Sequence, residues 1–157
     1  MYQKFNKLRL SAYAFFTLGA FIILFDFVYP GRILNDEIID LSRERQQYYN
    51  ASGNYHYSYI ISTNGHEFIV AENFIKPELI NKKIEYSISR IFKEVNWYKL
   101  LSSQKKSFSS LRVASGFVLP LLLIISIFVA YRYKKKIGLL IFILQVLFLA
   151  DFIFLIL

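Results

Sequence analysis

The sequence predicts a membrane α-helical protein. It has three transmembrane helices, N-terminus in and C-terminus out, and a small extracytoplasmic β or α+β domain between the first and second spans. Three observations lead there. Three apolar runs each reach the roughly 20 residues needed to cross a bilayer. The two short segments that must share one side of it are basic and carry no acid. Alternating apolar runs flank an Asn-Gly pair in the long middle segment.

Residues 1–9 hold Lys4, Lys7 and Arg9, and residues 132–136, "RYKKK", hold Arg132, Lys134, Lys135 and Lys136. The positive-inside rule places both segments in the cytoplasm. The first span, residues 10–29, is too apolar and too long for a cleaved signal peptide, and no small-x-small site follows it, so it is expected to stay as an anchor. The net charge of +8 arises mostly from these two segments. The middle segment holds 12 basic and nine acidic residues, so a topological cause of the charge is favoured and nucleic acid is not an expected partner.

Residues 30–96 read as a β-rich domain. "YHYSYIIS", "TNG" and "HEFIVA" form a hairpin in which Asn64-Gly65 is the turn, a pair suited to positive φ at both centres. Thr63 then pairs with His66, Ile61 with Phe68, Ile60 with Ile69 and Tyr59 with Val70, and Tyr57, Tyr59, Ile61, Phe68 and Val70 share a face. "KIEYSISRI" supplies a third strand with Ile84, Tyr86 and Ile88 on one side. Pro77 suits a turn or a first helical position. Residues 33–49 fit either a helix capped by Asn35, with Leu34, Ile38 and Leu41 on a stripe, or a strand. Asn50-Ala51-Ser52 matches the glycosylation triplet, a frequent chance pattern.

Residues 97–112 are expected to form an amphipathic helix or linker, because Trp97, Leu100, Leu101, Gln104, Phe108 and Leu111 recur at helical spacing. Its stripe is expected to pack on the β domain. The functional alternative is an interfacial helix, with Trp97 in the aromatic belt and Lys99, Lys105 and Lys106 near lipid phosphates. Ser102 with Lys105 and Ser103 with Lys106 match a Ser-x-x-Lys spacing, but lysines in polar surroundings stay protonated and cannot act as bases.

The second span is residues 113–131 and the third is residues 137–157. Pro120 is expected to kink the second. The third carries few small residues, so close backbone approach is expected instead at Gly19-Ala20 and Ala114 to Gly116. Its 17 Leu, Ile, Phe and Val residues favour insertion by roughly 5 to 10 kcal/mol, which exceeds the about 3 kcal/mol that Asp151 costs.

Asp26, Gln145 and Asp151 are the intramembrane polar candidates. By helical rise Asp26 lies about 24 Å and Asp151 about 21 Å from the cytoplasmic ends of their spans, at similar depth. Gln145 is some 120° away from Asp151 around the helix. Asp26 by itself reads as a helix end wetted by interfacial water. For Asp151 the expected role is structural, pairing with Arg112 or Ser115; partner binding ranks second and ion transport third.

No cofactor and no metal site is expected. Cysteine is absent, the one Met is the initiator, and His56 and His66 fall on opposite faces of the hairpin, far apart. The absence of disulfides in an outer domain suits a bacterial envelope.

An anchor helix, then "YHYSYIISTNGHEF" and "IEYSISRIFKEVNWY", then further membrane helices, resembles uncharacterised bacterial membrane proteins with a small extracytoplasmic β domain between transmembrane helices. The resemblance covers residues 1–131 and implies no reaction and no site residues. The expectation is a multi-pass protein of the bacterial inner (plasma) membrane, non-enzymatic, acting as an accessory or interaction subunit. Its partners would be the lipid bilayer and another membrane or envelope protein, or a second copy of itself. The alternatives are an immunity protein against a bacteriocin or toxin, and a small-ion channel or transporter component using Asp26 and Asp151.

Overall fold

The computed structural model describes residues 2–47, 55–133 and 137–156; the Asn50 triplet and Lys134 to Lys136 lie outside them. The chain forms two compact units, one of Met1–Pro30 with Val113–Leu157 and one of Gly31–Arg112.

The three apolar runs are helical: α1 (Tyr2–Val28), a second span over Ser110–Tyr133, and α4 (Gly138–Ile156). All three are long and apolar enough to cross a membrane. In α4 the residues Ile141, Leu144, Phe148 and Leu155 are buried, and their spacing of three, four and seven places them on one stripe. The small residues sit where aromatic rings approach. A Cβ added at Gly19 would stand 3.3 Å from the Phe148 ring, and one at Gly116 would stand 2.5 Å from Phe27 Cδ2. Tight approach at these positions matches expectation. Gly116→Val is accordingly expected to destabilise the bundle by about 2 kcal/mol through overpacking. Thermal melting of detergent-solubilised protein, followed by helical circular dichroism, measures it.

The second span changes character partway. It is α-helical in α2 (Ser110–Val113), π-helical over Ala114–Val118, and α-helical again in α3 (Leu119–Tyr133). Pro120 lacks the N–H that would bond the carbonyl of Gly116. Just ahead of it the Leu119 N–H reaches back to Ala114 O, the longer bond of a π turn. The disturbance expected at Pro120 therefore takes the form of a wider helical turn.

The second unit is a curled five-stranded antiparallel sheet of order β3-β2-β1-β4-β5. Its strands are β1 (Arg32–Gln47), β2 (Tyr55–Thr63), β3 (Glu67–Val70), β4 (Lys83–Ile88) and β5 (Val95–Leu100). The sixteen-residue β1 resolves the open choice over residues 33–49 in favour of a strand. It serves two neighbours in turn: Arg32 to Glu37 pair with β4, and Ile38 to Gln47 pair with β2. An irregularity between Ile38 and Asp40 marks the handover, and such bulges bend a strand and sharpen its twist. The inner face then carries Leu34 and Ile38 before the bulge and Leu41 after it, beside Ile61, Ile84 and Tyr86.

The β2–β3 register agrees with the pairing read from sequence: Tyr59 with Val70, Ile60 with Ile69 and Ile61 with Phe68. The turn chemistry does not. Among the described non-glycine residues positive φ occurs at Asn81 and Lys93, and Asn64 does not adopt it. The Thr63 hydroxyl closes the bend instead, accepting the His66 N–H at 3.1 Å and donating to the His66 carbonyl at 2.9 Å. A second correction concerns residues 97–112. Trp97 to Leu100 complete β5, and Tyr98 also bridges to Ser107, so helix begins only at Ser110. Lys99 is drawn to Glu85 across the β4–β5 pair at 3.0 Å, and Tyr98 and Leu100 face the core, so strand pairing overrides the helical spacing.

The ends of the curl meet over the core. The Tyr98 hydroxyl accepts the Ala71 N–H at 2.7 Å, and the rings of Phe68 and Phe74 lie 5.9 and 4.8 Å from its own. Pro77 opens a short 3₁₀ turn, Pro77–Leu79, that delivers the buried Leu79 to the same core.

Candidate functional site

Two polar constellations stand out in the sheet unit, and neither was legible in the sequence. The first joins β1 and β4 to the end of β2. Tyr86, fully buried on β4, donates its phenolic hydrogen to Asp36 Oδ2 on β1. His66 Nδ1 lies 2.9 Å from the same phenolic oxygen. Because the single phenolic proton goes to the carboxylate, His66 donates here, so its Nδ1 carries a proton. Thr63 Oγ1 lies 3.4 Å from the phenol and 3.5 Å from Asp36 Oδ2. Burial first, then donation to Asp36, pushes the Tyr86 pKa up to about 12. A phenol held this way is a donor at neutral pH rather than a nucleophile, and it pins three strands together.

This pin has a pH signature. The neutral phenol is the form the fold favours, so its contribution to stability is complete below pH 10 and is lost as pH rises from 10 to about 12. A denaturation series across that window, repeated with Tyr86→Phe, is expected to show a steeper alkaline loss for the natural chain than for the variant.

The second constellation lies where β1 has passed beyond β4 and β2 meets the end of β3, at the Tyr59–Val70 pair. The Arg43 guanidinium carbon sits 3.4 Å from the Tyr57 ring centroid and 5.5 Å from that of Tyr59. The Tyr59 hydroxyl donates to Glu72 Oε1 at 3.0 Å, a bond that raises the pKa of this phenol. Arg43, Arg45, Tyr57 and Tyr59 project from one face of this two-stranded ribbon, since Arg43 pairs with Tyr59 and Arg45 with Tyr57. Arginine and tyrosine are the residues that dominate binding hot spots.

The residues singled out from sequence are scattered. Asp26 is buried, at 2% exposure, on the α1 stripe that includes Ala20 and Ile23, which corrects the picture of a helix end wetted by water. Asp151 and Gln145 are both half-buried and flank, on opposite sides, the buried stripe of Ile141, Leu144, Phe148 and Leu155; Gln145 Nε2 is shielded and has no hydrogen-bond partner among the described residues. Arg112, 5% exposed, donates through Nε to Asn96 Oδ1 at 2.9 Å within the sheet unit. Ser115 is buried in the π turn of the helical unit. Of the expected interfacial set, Lys99 pairs with Glu85, Lys106 Nζ lies 4.0 Å from the Trp97 ring centroid, and Lys105 is exposed. The Ser103 hydroxyl accepts the Lys105 backbone N–H at 3.2 Å.

Among the described residues no group of three or more His, Cys, Asp and Glu stands together as a metal site. Compared with family models, curated proteins and solved structures, the chain matches none.

Proposed function

We propose that this chain is a multi-pass inner-membrane accessory protein that binds an envelope partner through the ribbon of β1 and β2. The two basic segments orient the helices with the N-terminus inside, so the sheet unit stands on the far side of the membrane. One observation carries the reading: Arg43 stacked on Tyr57 and Tyr59, where β1 has passed beyond β4 and β2 beyond Tyr59 is no longer paired with β3. Two strands alone are marginal in water, so a partner strand or surface there completes the sheet. A secreted toxin is one class of partner such a ribbon would intercept.

A photo-crosslinking residue at Arg45, in the full chain in native membranes, tests this. One protein is expected to be trapped, and Arg43→Ala with Tyr57→Ala is expected to weaken its recovery at least about tenfold, the loss of one hot spot. Trapping unchanged by both substitutions would overturn the reading. Orientation is measured separately. The chain has no cysteine, so a single one introduced at Asn64 should react with an impermeant maleimide from outside, and one at Lys7 only after permeabilisation.

A second reading draws on the burial of Asp26 and on the half-buried place of Asp151 beside the inward stripe of α4. Intramembrane acids facing protein mark ion paths as well as helix contacts. Asp151→Asn separates them. Lost ion flux with normal expression and partner recovery supports transport, lost partner recovery supports the accessory role, and lost expression alone supports packing.

A further inference from the structure

The helical unit carries an apolar groove of about 530 Å³ between α1 and α3. On α1 it runs from Leu10 past Ala14 to Phe21, and on α3 from Ile124 to Tyr131. The eleven steps from Leu10 to Phe21 rise about 16 Å, and half of a hydrocarbon core of roughly 30 Å is about 15 Å. On α1 the groove is therefore about as long as one leaflet is deep, and it ends near the bilayer midplane, where acyl chains end.

Its open end is chemically different from its floor. Tyr13 and Tyr131 line it there, and Tyr131 is 69% exposed. Arg9 donates through Nε to the Tyr13 hydroxyl at 2.8 Å, with its guanidinium carbon 5.1 Å from that ring. This fixes the side chain beside the mouth, and it leaves four N–H donors on the two Nη groups for a phosphate. Arg132 follows Tyr131 directly on the other helix. The neighbouring segments, residues 1–9 and 132–136, hold seven basic residues and no acid.

We infer that this groove binds an anionic phospholipid of the cytoplasmic leaflet, one acyl chain lying between α1 and α3 and the phosphate on Arg9 and Arg132. Charge complementarity selects this occupant over a second copy of the chain, whose own basic ends would repel these. The inference rests on the helices being membrane spans, and a tyrosine pair at headgroup level agrees with that placement.

The experiment is native mass spectrometry of the full chain, released from mixed micelles of phosphatidylglycerol and phosphatidylcholine, after a flotation assay on liposomes. One retained phosphatidylglycerol is expected, preferred at least about tenfold over phosphatidylcholine, the factor that roughly 1.4 kcal/mol of head-group contact would give. Arg9→Gln with Arg132→Gln should bring the preference close to one while still retaining lipid. Ala14→Trp should fill the groove and abolish retention of both lipids. Equal retention by the natural chain, a preference untouched by the arginine pair, or a dimer that Ala14→Trp dissociates would each overturn the site. A chain that fails to float overturns the reading as spans and this site with it; a chain that floats but shows no preference overturns the lipid site alone.

Discussion

Gly31→Ala is expected to lower the melting midpoint of the sheet unit by about 12 to 24 °C. A Cβ at this position would stand 2.1 Å from the Ile88 carbonyl oxygen and 2.7 Å from its carbon. These are backbone atoms, and Ile88 is tied to β1 through its pairing with Arg32 and to β5 through Val95. No rotamer change relieves the overlap, so the start of β1 must withdraw from β4 and lose the end of that ladder. The cost is about 3 kcal/mol, the upper part of the range for overpacking, and in a domain of this size each kcal/mol moves the midpoint by about 4 to 8 °C. The single tryptophan, Trp97, sits opposite Ser87 next to the affected pair, so its fluorescence reports the transition. Gly138→Ala is the control, because nothing lies within 4 Å of a Cβ there. A Gly31→Ala midpoint within about 2 °C of the natural chain would contradict the close approach.

Ile38→Ala is expected to cost more, about 4 kcal/mol, within the range for truncating a fully buried isoleucine. The side chain is at 0% exposure in the core. It also stands where β1 passes from one neighbour to the other. The Ile38 N–H donates to Lys82 O at 3.0 Å, its carbonyl accepts the Asn81 N–H at 2.9 Å, and its Cα pairs with Thr63. A cavity there undermines both halves of the curl together. Total stability for about 80 residues is of the order of 4 to 12 kcal/mol, so this one change takes a large share of it. Hydrogen exchange is expected to quicken in β2 and β4 alike. Ile69→Ala, on the outer face at 38% exposure, should alter it by less than about 1 kcal/mol. Quickening confined to one half would show that the two halves unfold independently.

What the sequence disclosed follows the range of each interaction. The three spans need only composition, and the β2–β3 register needs only a short turn between alternating runs. The close approaches at Gly19 and Gly116 follow from where small residues fall in apolar helices. β1 was ambiguous because one bulge shifts its phase: Leu34, Ile38 and Leu41 satisfy a helical stripe and a bent strand equally well. Trp97 to Leu111 misled for a related reason, since the partner that makes Lys99 a strand residue is Glu85, fourteen positions earlier. The Asp36–Tyr86 bond spans fifty positions, and no local pattern announces a pairing of β1 with β4. The tie of His66 to Tyr86 depends on that same remote pairing. The Arg43 stack was closer to reach, because Tyr57 and Tyr59 were already placed on one face and lacked only the strand opposite.

The divided allegiance of β1 imposes a chronology on assembly. Residues of β2 become available to it soon after synthesis passes Thr63, whereas β4 is complete only at Ile88. The nearer partner closes the shorter loop and, on the usual dependence of rate on sequence separation, arrives first. The front half of β1 must then wait, one edge bare, for the remaining two strands. Pulse-labelled refolding should therefore protect Ile60 and Ile69 amides before those of Ile84 and Tyr86, and the interval between the two is when a nascent chain is most open to capture by a stray strand.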